Sequence, residues 1–188
     1  IEIRLNRGRK KQITANGVRL KTAAELSGRV SAVLFSPDDL MLVRDGAAAR
    51  RRMTDLALCQ LRPRYAEALA KFQHLYDGKT RLLKDAMDDK SLLPLIEEYN
   101  TSLAECGAIL IYYRSAFVKN LARKAASIHA DFSGGSEELT LEYKTVKTIG
   151  EPAGKKPREI YELLMEHQRA HFRAETESWQ RLSGSHKD

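Results

Sequence analysis

The chain has 188 residues, of which 43% are hydrophobic and 30% charged, and its formal net charge is +7 at pH 7. This composition is typical of one globular domain or two small ones and excludes a disordered chain. A run of 18 apolar residues is absent, which argues against a transmembrane helix, and the first residues lack the apolar core of a secretory signal. The two cysteines, Cys59 and Cys106, are too few for a disulfide framework and predict reduced thiols in a cytosolic protein.

The positive charge is concentrated in the first quarter of the chain. Residues 1–52 contain 12 Lys and Arg against 5 Asp and Glu, whereas residues 53–188 contain 20 of each kind. A localised basic surface is typical of proteins that bind polyanions, most often nucleic acid. A solvated basic face without a partner explains the charge about equally well, so both interpretations stay open.

The first 35 residues predict β-rich structure. Residues 1–6 alternate apolar and polar side chains, as in a strand with one buried face. Asn16 and Gly17, between QITA and VRLK, form a strong hairpin signal. Residues 30–35, VSAVLF, are apolar and β-branched, which predicts a buried strand.

Helical structure is predicted from Ser36 onward. Ser36, Pro37, Asp38 and Asp39 have the types expected at a helix start: a cap, a proline at the first position, and carboxylates at the positive end of the helix dipole. A second helix is predicted to begin near Ala47 and to carry three consecutive arginines in its early turns.

A long helical arm is predicted next. Pro63 is expected to break or kink the first run, and Gly78 to interrupt the second. Apolar residues then step by three and four from Leu92 to Phe117, which predicts a helix of about 35–40 residues. The two runs should pack antiparallel through a connection at residues 88–91, and the arm should end at residues 133–136.

Strand alternation returns at residues 138–149, followed by an amphipathic helix over 158–178. The order of elements predicts an α+β fold in which a long antiparallel helical arm is inserted into a β-rich head. The expected regions are residues 1–45 for the first part of the head, 46–136 for the arm, and 137–188 for the return strands and helix.

Two motifs suggest small-ligand sites only weakly. Gly78-Lys79-Thr80 is similar to the end of a phosphate-binding loop, but the motif requires a glycine where Gln73 stands, and a preceding strand. A break or tight turn in the arm is the favoured interpretation.

His167, His171 and Glu175 have the spacing of metal ligands along a helix. Gln168, however, stands where the metalloprotease motif has Glu, so an ordinary helix face is favoured over a metal site. The residues predict neither a catalytic group nor a metal site.

The candidate DNA-binding residues are basic and fall into three groups. The sequence places them in an early hairpin or its edge, at the start of the second helix, and late in the long helix: Arg7, Arg9, Lys10 and Lys11; Arg50, Arg51 and Arg52; Lys119, Arg123 and Lys124. Such residues are expected to contact phosphates without reading bases. The alternatives are protection of a strand edge for the first group and a solvated helix face for the last.

The stretch from the apolar strand to the arginines resembles the RecF family, bacterial recombination and repair proteins of the SMC/ABC ATPase class. The matching residues are Phe35, Ser36, Pro37, Asp39, Leu40, Leu42, Val43, Arg51, Arg52 and Asp55, with Met53-Thr54 in place of Phe-Leu. Further similarities are Asn16-Gly17, Leu26 with Gly28, LRPRY at 61–65, the segment from Gly107 to Arg114, and Gly184 to Asp188, where Ser185 replaces a proline.

The resemblance implies a piece of a DNA-binding ATPase. The family's Walker A loop would lie before Ile1, and its signature and Walker B motifs after Asp188, so an internal fragment of an ABC/SMC-type head is expected, inactive as an ATPase by itself. For the full-length family it implies ATP and Mg²⁺, ATP-dependent homodimerisation and a cytoplasmic bacterial protein in DNA replication, repair, recombination and the SOS response. Asp38 and Asp39 would lie near the Q-loop, although helix capping is the favoured role.

The implied function is binding of DNA at gaps, where duplex meets single strand, and cooperation with RecO and RecR to load RecA. For this chain alone, non-specific DNA binding is expected at most. The alternative is a structural arm for protein partners, RecR or a second copy, without direct DNA contact.

Overall fold

The structure, a computed structural model, describes residues 1–8, 10–26 and 28–182. It is an α+β fold, as predicted, with four long helices and a small antiparallel sheet among the described residues. The strands are β1 (Glu2–Arg4), β2 (Gln12–Ala15) and β3 (Val18–Leu20); the helices are α1 (Ala47–Leu61), α2 (Pro63–Asp88), α3 (Leu93–Ser133) and α4 (Pro157–Ser178). Short 3₁₀-helices span Ala23–Leu26, Pro37–Val43 and Lys90–Leu92.

The sheet has the order β1-β2-β3 and is built on the predicted hairpin. Ile13 pairs with Leu20, and Ala15 with Val18. Asn16 and Gly17 connect these strands with φ angles of 49° and 79°, the left-handed conformations that a two-residue hairpin turn requires. Sequence alone therefore predicts this turn correctly.

Strand β1 forms as predicted, but its apolar face is not buried. Ile1, Ile3 and Leu5 are all more than half exposed. The buried side chains of this region come from β2 and β3, namely Ile13, Ala15 and Leu20, with Leu26 packed against them. Alternation thus predicts the strand conformation of β1, whereas burial depends on a covering layer that is not found among the described residues.

The buried strand predicted at residues 30–35 is wrong for this structure. The segment belongs to no sheet, and Val33, Leu34 and Phe35 are 98%, 88% and 73% exposed. It is attached to the end of α1 instead, because Gln60 accepts hydrogen bonds from the Ala32 amide at its side-chain oxygen (2.6 Å) and from the Gly28 amide at its backbone oxygen (3.1 Å). A strand needs a hydrogen-bonded neighbour, and no described strand pairs with this segment.

The strand predicted at residues 138–149 is also wrong. Residues 138–146 carry no regular secondary structure and residues 147–149 form a turn. Tyr143, Val146 and Ile149 nevertheless pack in one cluster with residues of α3 and α4. The alternating pattern therefore arises because one side of this segment packs on α3 and α4. The segment does not pair with a described strand.

The break between α1 and α2 lies at Pro63, as predicted, but Gly78 does not interrupt α2. The helix runs continuously from Pro63 to Asp88. A Cβ built on Gly78 would lie only 2.7 Å from Cε1 of Tyr99. The close approach of the Tyr99 ring therefore explains why residue 78 is a glycine, since the space beside the ring has no room for a methyl group.

The predicted seam of the long helix forms the core of the arm, the name used here for α1, α2 and α3. Ile96, Leu103, Cys106 and Leu110 of α3 are buried against α1 and α2. Helix α3 has 41 residues and is followed by Gly134, whose φ of 61° is typical of a helix C-terminus. The apolar seam of the long helix is confirmed, and the helix is slightly longer than the predicted 35–40 residues.

Helix α4 returns along the arm and packs on α3. Its buried residues Ile160 and Leu164 contact a stripe of small side chains that includes Ala104 and Ala108. Small residues on α3 allow the two helices to approach closely. Within the described residues, none of the helices combines the length and the apolar character needed to cross a membrane.

Candidate nucleic-acid interface

The first basic group lies in the connection between β1 and β2. Arg7, Lys10 and Lys11 are exposed there. Arg9, the fourth residue of this group, lies outside the described residues. Long cationic side chains on an exposed connection can reach phosphate oxygens, so this geometry is compatible with the predicted DNA contact.

Arg50 has a structural role that the sequence did not reveal. Its Nη1 donates to the carbonyl oxygens of Leu42, Val43 and Asp45 at 3.3, 3.5 and 2.5 Å. These carbonyls lie at and after the end of the 3₁₀-helix Pro37–Val43, where backbone acceptors lack partners within the helix. Arg50 therefore fastens the turn that leads into α1.

Arg51 and Arg52 lie at a cleft between α1, α2 and α3. The cleft has a volume of about 520 Å³ and is largely apolar. Its lining includes Leu56 and Cys59 from α1, and Phe72 from α2. Arg52 also borders a second groove, about 510 Å³, on the side of α1 that faces residues 31–34. Two of the three consecutive arginines thus lie beside concave surfaces.

A polar network joins the three helices of the arm below this cleft. The Arg114 guanidinium of α3 donates two hydrogen bonds to the carboxylate of Asp55 in α1, Nε to Oδ1 and Nη2 to Oδ2, both 3.0 Å long. The Tyr65 hydroxyl of α2 donates to Asp55 and accepts from Nε of Arg114 at 3.0 Å. Bidentate pairing fixes the orientation of both ionic groups, so the network sets the positions of the helices at the cleft.

Tyr65 acts in this network as a neutral donor. The residue is fully buried. Burial is the main cause that raises the pKa of its phenol well above the ordinary value, and the hydrogen bond to Asp55 acts in the same direction. The hydroxyl therefore keeps its proton and donates it to the carboxylate.

A second buried ion pair joins α2 to α4. Nζ of Lys79 lies 2.6 Å from Oε2 of Glu175, and both side chains are at most 1% exposed. Oε1 of Glu175 also accepts the backbone amide of Leu182 at 2.7 Å. Burial lowers the pKa of Lys79, and the charge of Glu175 opposes this shift. The pair holds the chain that follows α4 against the arm.

The ion pair also decides between the interpretations of Gly78-Lys79-Thr80. These residues lie within α2 rather than in a loop, and the lysine faces the protein interior. A phosphate-binding loop needs a strand, a glycine-rich turn and an accessible lysine. The predicted tight turn is wrong, and the geometry does not fit a phosphate site either.

His167 and His171 are engaged within the protein. Oγ1 of Thr148 and Nδ1 of His167 share a hydrogen bond of 2.8 Å, and Nδ1 of His171 lies 2.7 Å from the carbonyl oxygen of His167. Burial is the main cause that lowers the pKa of His167. Among the described residues, no three His, Cys, Asp or Glu side chains are grouped as metal ligands.

Of the two predicted Q-loop-like residues, Asp39 can be described. Its Oδ2 accepts the Ser36 amide at 2.7 Å, as expected for a capped helix start. The side chain of Asp38 lies outside the described part of the structure. The capping role of Asp39 is confirmed, and its role as a nucleotide sensor stays a prediction.

The third basic group is exposed on α3. Lys119, Arg123 and Lys124 all face solvent, and Arg123 donates a hydrogen bond to Asn120 one turn earlier. The three basic groups lie on different elements: the β1–β2 connection, α1 and α3. The DNA-binding role of these residues stays a prediction, and the position of the groups relative to one another depends on the fold.

Sequence reasoning missed the contacts that connect these elements. Asp55, Tyr65 and Arg114 each belong to a segment with family resemblance, but their meeting in one network was not predicted. The location of all three residues in segments that resemble one family was the signal that could have suggested a contact between them. Lys79 and Glu175 were each noted for another chemistry, and the distance of 96 residues between them hid the ion pair.

Comparison with known proteins identifies relatives of this chain. No family model matches the chain. Among curated relatives, DNA replication and repair protein RecF of Acetivibrio thermocellus is 34% identical over 143 residues, which are 76% of this chain and 39% of the relative. The protein of the same name from Alkaliphilus oremlandii is 30% identical over all 188 residues and half of its own length. The chain therefore spans 39–50% of these two relatives.

Solved structures show the same fold. A structure described as the recombination mediator protein RecF with ATPrS in the RecFOR pathway has a TM-score of 0.84 and 22% identity, over 98% of this chain and 48% of the other. A second, described as RecF with ATP, has a TM-score of 0.81 and 23% identity. Together with the curated relatives, these matches show that the chain belongs to the RecF family, of whose members it spans about half the length.

Proposed function

We propose that this chain is the arm-containing part of a RecF-type DNA repair protein that binds DNA at gaps, where duplex meets single strand. In the complete protein, RecO and RecR would cooperate with it to load RecA. The observation that carries the proposal is the surplus of seven positive charges within residues 1–52, together with the exposure of Arg7, Lys10 and Lys11.

The same proposal assigns the regions of the chain. Residues 1–45 would belong to an ATPase head, residues 46–136 form the arm, and residues 137–188 return to the head. The exposed apolar segment at Val33, Leu34 and Phe35 supports this assignment. Unpaired, apolar and extended backbone of this kind is suited to pair with further strands of a larger sheet.

ATP, Mg²⁺ and an ATP-dependent homodimer are proposed for the complete protein only. The RecF structures with the same fold are described with ATP or ATPrS. The Gly78-Lys79-Thr80 segment of this chain does not fit a phosphate site, because Lys79 is buried against Glu175. The isolated chain is therefore expected to show no ATP turnover, and measurable hydrolysis by the purified chain would contradict this.

The proposal is tested by measuring DNA affinity over a range of salt concentrations. Binding should be sequence-independent and should weaken with salt, with a slope of roughly 0.9 per phosphate neutralised. Reversing the charges of Arg7, Lys10 and Lys11 should weaken binding and flatten the slope. Reversal of Lys84, an exposed residue on α2 outside the three groups, is the control. Absence of binding at low salt would remove the DNA role.

The alternative, a structural arm for protein partners, has lost its original support. It was motivated by the apolar seam from Leu92 to Phe117, and the buried part of that seam packs inside the arm. Ile128 and Phe132 on the last turns of α3 are exposed apolar side chains in its favour. Binding of RecR that persists after reversal of Arg50 to Arg52, in a chain that does not bind DNA, would support this alternative.

A further inference from the structure

We propose that residues 179–182, here called the strap, open and close on α2 as a unit separate from the arm. The strap follows α4 directly, and in the structure it lies closed against α2. Its position decides the direction in which the chain leaves α4 after Leu182. This inference goes beyond the proposed function, because it does not depend on DNA binding.

The strap begins at a sharp change of backbone direction. Trp179 follows the last residue of α4 and has a φ of 54°, in the left-handed region. A bulky residue rarely adopts this conformation, which costs free energy that surrounding contacts must offset. The side chain of Trp179 packs on a cluster of α2 and α3 residues that includes Leu83 and Ile96. Tertiary contacts rather than local preference hold this turn, so Trp179 is suited to act as the hinge of the strap.

Arg181 fastens the strap to a single residue of α2. Its guanidinium carbon lies 3.3 Å from the centroid of the Tyr76 ring, and its Nη1 donates to the backbone oxygen of Tyr76 at 3.3 Å. A cation over an aromatic face is attracted by the electrons of the ring, but at a partly exposed site the gain is small. Arg181 is only partly buried, so this contact can form and break without rearrangement of α2.

Glu175 provides a second fastening point. Its Oε1 accepts the backbone amide of Leu182 at 2.7 Å, while Oε2 pairs with Lys79 at 2.6 Å. The pair with Lys79 is fully buried, and α4 is also held on α3 by Ile160 and Leu164. The carboxylate therefore stays in place when the strap opens and offers the same acceptor when the strap closes again.

The exposure of the strap explains why it can open without the arm. Gln180 is exposed, Arg181 is partly buried and Leu182 is 37% exposed, whereas Leu83 and Ile96 in the neighbouring core are at most 1% exposed. Opening of the strap therefore uncovers little apolar surface. Segments with few buried apolar contacts open at a lower free energy than the core of the same protein.

Hydrogen exchange of the Leu182 amide tests the inference. Exchange is followed by NMR in the whole chain at several denaturant concentrations below the unfolding transition, with the amide of Leu110 in the arm core as reference. The Leu182 amide should be protected, should exchange faster than that of Leu110, and should change little with denaturant, because local opening exposes little surface. Exchange of Leu110 should accelerate with denaturant, because it requires unfolding of the arm.

A matched pair of arginine variants tests the fastening of the strap. Arg181→Gln should accelerate exchange of the Leu182 amide about two- to fivefold, the effect of losing one cation–π contact at a partly exposed site. The control is Arg173→Gln, because Arg173 pairs with Glu177 on the outside of α4 and its side chain is 89% exposed. The control should leave exchange of Leu182 unchanged.

A core variant tests whether the strap and the arm are separate units. Ile111 is fully buried on α3, and Ile111→Val should accelerate exchange of Leu110 about two- to tenfold through loss of a buried methylene. The same variant should leave exchange of Leu182 unchanged, because opening of the strap does not break the packing around Ile111.

Three results would overturn the inference. An unprotected Leu182 amide would show that the strap is not closed in solution. Exchange of Leu182 with the rate and denaturant dependence of Leu110 would show that the strap opens only when the arm unfolds. Equal effects of Arg181→Gln and Arg173→Gln would show that the contact with Tyr76 does not hold the strap. The DNA role is decided separately, by the salt dependence of binding.

Discussion

The arm buries many of its large apolar side chains, whereas the N-terminal region exposes several of them. In the arm, Tyr65, Ile96 and Leu110 are at most 1% exposed, and Arg114 of α3 pairs with Asp55 of α1. Among the residues of 1–45 whose burial the structure describes, only the small cluster around Ile13 is buried, while Leu5, Val33 and Leu34 are largely exposed. The comparison indicates that the arm and α4 together complete a core, whereas the N-terminal region presents apolar surface that suits a covering layer.

The largest expected effect comes from the ion pair between α2 and α4. Lys79→Met leaves the carboxylate of Glu175 buried without its partner and should lower the free energy of unfolding by about 3–5 kcal/mol. The matched control is Lys71→Met, because its pair with Glu105 has a nitrogen–oxygen distance of 3.9 Å and both side chains are more than half exposed. The control should cost at most about 1 kcal/mol. Denaturant unfolding followed by circular dichroism measures both.

A companion variant identifies the cause of that loss. Lys79→Met combined with Glu175→Met removes both charges and should recover most of the stability, since well-packed apolar residues replace buried ion pairs at little cost. If Lys79→Met costs no more than Lys71→Met, the buried pair does not hold α4 on the arm.

The contrast in burial between the arm and the N-terminal region is tested by truncating one apolar side chain in each. Leu110→Ala, in the arm core, should cost about 2–5 kcal/mol. Leu34→Ala, at a position that is 88% exposed, should change the free energy of unfolding by less than about 0.5 kcal/mol. Equal effects in denaturant unfolding would show that residues 30–35 are packed in solution and that the contrast between the regions is wrong.

The Asp55–Tyr65–Arg114 network should make a smaller contribution, with a distinctive pH dependence. Tyr65→Phe removes hydrogen bonds to charged groups and should cost about 1.5–3 kcal/mol near neutral pH. The pKa of Tyr65 is raised in the folded state, mainly by burial. Above about pH 10, the unfolded chain therefore loses the phenol proton while the folded chain retains it, and this part of the stability declines.

Unfolding of both proteins between neutral and alkaline pH measures this effect. The stability difference between the original chain and Tyr65→Phe should shrink above about pH 10. A difference that grows with pH would contradict a neutral, buried phenol at this position.

The smallest expected effect concerns His167, where α4 meets the preceding loop. Its pKa is lowered in the folded state, mainly by burial, so the unfolded chain takes up a proton first as the pH falls. Stability should decline below about pH 6.5, by at most about 1.4 kcal/mol per pH unit from this residue. His167→Gln should reduce that decline, whereas His74→Gln, on an exposed position of α2, should not. Thermal unfolding at mildly acidic pH distinguishes them.

The sequence by itself determined the local features of this protein. The Asn16-Gly17 turn, the capped start at Ser36, the break at Pro63 and the end of α3 near Gly134 were all predicted, because each depends on the backbone preferences of a few adjacent residues. The long helix was predicted from the spacing of its apolar residues, since one repeated face determines both the helix and its packing.

Tertiary structure decided everything that depends on a partner distant in sequence. Residues 30–35 and 138–149 have strand-like patterns, yet a strand forms only where a neighbour supplies hydrogen bonds. Of the candidate site, the sequence located the basic residues but not the cleft beside Arg51 and Arg52, because its walls come from three helices. Lys79 carries no local sign that it is buried, since its counter-charge, Glu175, is brought close only when α4 packs on the arm.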